Sequence, residues 1–129
     1  MELRFPKARL FAYDKILQGQ SCPSVLMHAI VDAGLLSESS FRGLGEESCS
    51  KDFCQSANAA EGILNAYMTE YHEPIEAKRL ARAAIAHLKS DLDGWRAQRD
   101  SDHVTGGRNE CRENAPVVLD LLLQQLLKH

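Results

Sequence analysis

No run of apolar residues in this chain is long enough to cross a bilayer. The most apolar stretch, Val117 to Leu127, covers 11 residues and is interrupted by Asp120, Gln124 and Gln125, whereas a spanning helix needs about 20. An export signal is lacking as well. Arg4, Lys7, Arg9, Asp14 and Lys15 interrupt the apolar residues of the first stretch, so the unbroken apolar segment of such a signal never forms. These absences set the expectation of a cytoplasmic protein with no membrane partner. Basic residues are not in excess either: 15 Lys and Arg stand against 18 Asp and Glu, for a net charge of -3. A general polyanion binder needs a clear basic surplus on one face, so no nucleic-acid partner is expected. Cysteine is sparse, with four in the chain. That does not read as a disulfide scaffold, and in a reducing compartment the thiols stay free unless metal or redox work engages them.

Catalytic signatures are missing too. Five histidines stand at His28, His72, His87, His103 and His129, with no His-x3-His pair and no HExxH, which excludes a zincin-type site. Gly106-Gly107 lacks the spacing of a phosphate-cradling loop and follows no strand. A helix-turn-helix across residues 25–45 would need a regular recognition helix rich in basic side chains. Here that element holds Gly43, Gly45 and a single Arg42, with Glu46-Glu47 close behind to repel phosphates. No catalytic residue is assigned, and no cofactor is expected.

What the chain does have is apolar spacing. Its 129 residues, 44% apolar and 26% charged, fit one globular domain over 1–129 with a core of its own. Residues 1–20 carry the weakest pattern. Pro6 separates a short extended piece, Glu2 to Phe5, from a helix over Ala8 to Leu17 whose face reads Leu10, Tyr13, Ile16 and Leu17. Ser21-Cys22-Pro23-Ser24 is a helix start. Val25, Leu26, Ala29, Ile30 and Ala33 follow at helical spacing, and Gly34 is the stop. Residues 37–52 read as a Ser-rich loop, with room for a helical turn around Ser39 to Leu44.

The clearest row is Phe53, Ala57, Ala60, Leu64, Tyr67 and Tyr71, spaced by fours and threes, with Asp52 as the cap. Pro74 closes that helix and opens another, running to about Arg99, whose row is Ala77, Ala81, Ala84 or Ile85, Leu88, Leu92 and Trp95. Two long patterned helices joined this tightly fold back as an αα-hairpin over 53–99. A polar connector over 100–113 follows, and then a leucine-rich helix over 114–128, capped by Asn114 with Pro116 in its first turn. The expected fold is therefore all-α: a small bundle of four to five helices built around an antiparallel hairpin.

The last helix raises the functional question. Val117, Val118, Leu119, Leu121, Leu122, Leu123, Leu126 and Leu127 cover well over half of its circumference, more than a surface helix of a monomer needs. Either it lies at the centre of the bundle or it is shared with another chain. The second alternative makes the chain a regulatory protein–protein interaction module. Such a module binds or inhibits a larger partner and pairs with itself as a homodimer. Its surface is then drawn from Leu119, Leu122, Leu123, Leu126 and Leu127, with Tyr71 and Trp95 as aromatic anchors. The antiparallel hairpin puts Tyr71 and Trp95 near opposite ends, so they do not share a pocket. Lys78, Arg82, Lys89 and Arg96 fall near one face of the second hairpin helix, but Asp91 and Asp93 lie close by, which reads as a solvated mixed-charge surface. A rival reading uses Cys22, Cys49, Cys54 and Cys111 for metal or thiol-redox chemistry, since Cys49 and Cys54 flank a helix start that favours thiolate. Another is a small enzyme working from the 100–112 loop with His103 and Asp102.

Overall fold

The computed structural model describes residues 3–41, 55–102 and 109–128; within them, the side chains of residues 22, 40–41, 55–57, 99–102 and 109–113 lie outside the description. Among the described residues the chain forms five α-helices, one short 3-10 helix and no strand. The helices are α1 (Pro6–Leu17), α2 (Cys22–Asp32), α3 (Gln55–Tyr71), α4 (Pro74–Asp102) and α5 (Asn109–Lys128), with the 3-10 turn at Glu38–Phe41.

Local chemistry sets most of the boundaries. Pro6 and Pro23 occupy the first turns of α1 and α2, where a missing N–H costs no helical bond. Ser21 caps α2 by accepting from the Ser24 N–H at 3.4 Å. Both helices end on a glycine in the left-handed region, Gly19 at φ 92° and Gly34 at φ 75°. There a Cβ would strain the backbone. The turn lets Gln20 N–H reach the Lys15 carbonyl and Leu35 N–H reach the Ile30 carbonyl, both at 3.2 Å, so orphan carbonyls at each helix end are satisfied.

The αα-hairpin is present. Only His72 and Glu73 separate α3 from α4. The ion pair between Lys89 Nζ and Glu61 Oε1, at 3.0 Å, bridges the two antiparallel helices. Ala77, Ala81, Ala84, Leu88 and Leu92 of α4 are all buried, with Trp95 partly buried at the end of the row. Of the two candidates for the third position, Ala84 is the buried one, while Ile85 is half-covered. On α3, Ala60, Leu64 and Tyr67 are buried as the spacing requires, and Ile63 and Met68 widen the face. That extra width answers to a second neighbour, because α3 packs against α2 and α5 as well as α4. Asp52 and Phe53, and the Ala57 side chain, lie outside the described residues.

The centre of the bundle is α5, which packs against all four other helices. Ala115, Val117, Val118, Leu119, Leu121, Leu122, Leu123 and Leu126 are buried. Three boundaries and faces differ from the sequence reading. First, α5 begins at Asn109, so Asn114 is a buried mid-helix residue and Pro116 lies inside the helix. An interior proline forfeits one backbone bond, which the packing of α5 against the four other helices offsets. Second, α4 continues to Asp102. Third, α1 turns a different face inward. Ala12 and Ile16 are buried, with Phe5, Ala8 and Phe11 packed partly against the core. Leu10, Tyr13 and Leu17 point out.

Candidate functional site

A single carboxylate decides the face of α1. Asp120, on the central helix, has no solvent exposure. Its Oδ2 accepts from the Phe5 N–H at 2.8 Å, and its Oδ1 from the Arg4 N–H at 3.0 Å. The Gln124 amide donates to Oδ1 at 2.8 Å. Arg9 Nε stands 3.1 Å from Oδ2, close enough for an ion pair though not aimed as a hydrogen bond. Phe5, the residue that opens α1, offers no side-chain cap. Asp120 instead holds the N–H groups of Arg4 and Phe5, the two residues just ahead of the helix, and places negative charge near its positive end. Both oxygens are occupied and the group is sealed from solvent. It is a structural anchor with no free valence for a substrate. In the sequence, Asp120 stands out only as a break in an apolar run. A lone acid amid Val and Leu was the available signal, because a charge buried there must be paired.

The interaction residues expected from the sequence separate into two groups. Leu119, Leu122, Leu123 and Leu126 are buried in the chain's own core, so the leucine excess of α5 is absorbed within one molecule and those four form no surface. Leu127 and Tyr71 are more than half exposed, and Trp95 is partly covered. The Tyr71 hydroxyl donates to the Leu35 carbonyl at 3.2 Å, tying the hairpin end to the turn after α2. Only His72 and Glu73 separate the helices, so Tyr71 ends α3 beside the start of α4, and Trp95 is 21 residues beyond Pro74. At about 1.5 Å per residue that is about 30 Å, so the two aromatics serve different ends of the hairpin.

Most of the apolar face that spacing marks on α1 lies outside the core. Leu10, Tyr13 and Leu17, at 62%, 54% and 63% exposure, form one row along α1. They are spaced three and four apart, the spacing of a helix-packing seam. Lys7 and Asp14, both exposed, flank one side of the row. On the other side lies Arg9, whose charge is matched by Asp120.

Burial holds the Tyr67 phenol above its ordinary range, and the neighbouring Tyr71 adds to the effect; their ring centroids are 4.7 Å apart. The Arg79 guanidinium, hydrogen-bonded to Glu76 in the first turn of α4, draws the Glu76 carboxyl below the usual range.

Among the described residues no group of three or more His, Cys, Asp or Glu could hold a metal ion. Cys22 lies at the start of α2 and Cys111 in the first turn of α5, but neither side chain is among those described, and Cys49 and Cys54 lie outside the described residues altogether. The enzyme alternative falls there too, since residues 103–108 and the Asp102 side chain are outside the description. No helix among the described residues is long and apolar enough to cross a membrane. Comparison with family models, with characterised proteins and with solved structures gives no match.

Proposed function

We propose that this chain is a protein-interaction module: a small helical bundle that binds a larger protein and regulates or inhibits it by binding. The observation that supports the reading is the uncovered apolar row Leu10, Tyr13 and Leu17. A helix that buries one apolar face and keeps a second one dry only when something covers it marks a contact surface. The contact surface lies on α1 and not on α5, whose leucines are spent on the chain's own core.

The test is capture by the immobilised chain, with cross-linking to map the contact. The wild type is expected to retain a protein from native extract, with cross-links on α1, and Leu10→Gln/Leu17→Gln is expected to lose it. A chain that retains nothing above background at physiological concentration overturns the module reading. The cysteine and enzyme alternatives have no supporting observation among the described residues.

A further inference from the structure

We propose that α1 pairs with α1 of a second copy of this chain, antiparallel and across a twofold axis. The inference rests on the interaction reading above and names one partner for it.

Three observations carry it. The first is the row itself. Pro6, Leu10, Tyr13 and Leu17 are exposed and spaced four, three and four along a 12-residue helix, which is the seam geometry of paired helices. The second is where the charges sit. At about 100° per residue, Lys7 and Asp14 fall on the same flank of the row, while Arg9 on the opposite flank is already matched by Asp120. In an antiparallel twofold pair, like flanks face each other. With the axis between Leu10 and Tyr13, Leu10 lies against the partner's Tyr13. Lys7 then comes within two residues, about 3 Å along the axis, of the partner's Asp14. Symmetry makes the same ion pair a second time. The third is specificity of spacing. An unrelated partner would have to present an acid and a base seven residues apart in reversed order, whereas α1 itself provides both.

A parallel arrangement would set the Lys7 and Asp14 flank against Arg9 and loses this match. An anionic bilayer is the poorer occupant, because Asp14 borders the row and the chain carries a net charge of -3. The row is short, so the area covered falls below the roughly 800 Å² per partner of a standard interface. The dimer is therefore reversible, filling in over the micromolar-to-millimolar range.

The experiment is sedimentation equilibrium of the full chain across that range, with circular dichroism to confirm the fold of each variant. The wild type is expected to shift from one chain to two with concentration. Leu10→Gln/Leu17→Gln should weaken the association by about tenfold or more. Lys7→Asp sets acid against acid and Asp14→Lys sets base against base, so each alone should be monomeric where the wild type pairs. Mixed in equal amounts, these two variants should dimerise with each other, since every cross-pair is again opposite in sign. A strict monomer at millimolar concentration overturns the proposal. So does a dimer indifferent to Leu10→Gln/Leu17→Gln, or a mixture that fails to pair. Binding of the wild type to phosphatidylserine vesicles that is abolished by the same leucine variant assigns the row to a membrane and overturns it as well. A monomer that still captures a protein partner through α1 sinks this proposal and leaves the interaction reading standing, so the two failures are distinct.

Discussion

Replacing Asp120 with alanine should be among the most damaging single changes outside the leucine core. The Phe5 N–H, half-buried and held at 2.8 Å, and the Arg4 N–H both lose their acceptor. An unsatisfied donor costs about 1–3 kcal/mol when fully buried. These two are partly covered, which places their joint cost near about 2 kcal/mol. Arg9 loses its countercharge, and with its side chain 34% exposed water screens that loss to about 1 kcal/mol. The gap left by the carboxylate adds a little more. The total is about 3–4 kcal/mol, a large part of the about 5–15 kcal/mol that stabilises a typical domain. For a chain of this size the melting temperature should fall by about 10–20 °C. Urea unfolding followed by helical circular dichroism measures the first quantity and a thermal scan the second. Hydrogen exchange gives the spatial signature: amides of α1 should lose protection in Asp120→Ala while those of α3 and α4 keep theirs relative to global stability. Asp120→Asn retains one acceptor oxygen and should cost less than the alanine variant. A loss under about 1 kcal/mol for Asp120→Ala, or unchanged protection of α1, would refute the idea that this carboxylate holds the helix.

Two further perturbations address the hairpin. Ala84 is buried in the row where α4 packs on its neighbours, so Ala84→Leu should overpack the core and destabilise by about 1–3 kcal/mol in urea unfolding; a neutral result would mean that the helices are less closely apposed than described. The Tyr67 phenol is held above the ordinary value of about 10 by burial first and by Tyr71 second. The folded state therefore keeps a proton that the unfolded state gives up. The stability this contributes is full below the unfolded value and is lost as pH rises through the folded one. Ultraviolet titration of Tyr67→Phe against wild type should remove the latest-ionising tyrosine, and an unchanged late phase would reject the assignment.

The hairpin was readable because each of its helices presents a single row to its nearest neighbour, and sequence spacing reports that directly. The end of α2 was readable because Gly34 is a local signal for a left-handed turn. The face of α1 was not. A 12-residue helix with apolar residues at Ala8, Phe11, Ala12 and Ile16 as well as at Leu10, Tyr13 and Leu17 offers two arcs of comparable merit. The choice between them is made by Asp120, 115 residues from Phe5, a distance at which spacing carries no information. The start of α5 was misplaced for a related reason. Asn114 and Pro116 are good opening residues in isolation, but the packing of α5 against four helices is worth more than the bond that Pro116 forfeits. Of the surface expected from the sequence, Tyr71 and Leu127 are exposed, whereas the α1 row lies in the stretch whose pattern is weakest.

The position of α5 also governs the order in which the molecule can be assembled. Synthesis delivers α1 to α4 before the helix against which all four rest, and the residue that anchors Phe5 emerges 115 positions later. Until then α1 lacks its main packing partner, α5. The hairpin can form early from contacts close in sequence, but α1 must wait for its anchor, which makes closure of the bundle a late step dominated by distant contacts. A nascent chain halted before Asp120 would carry sticky, half-made helices, the kind of species that chaperones exist to shelter.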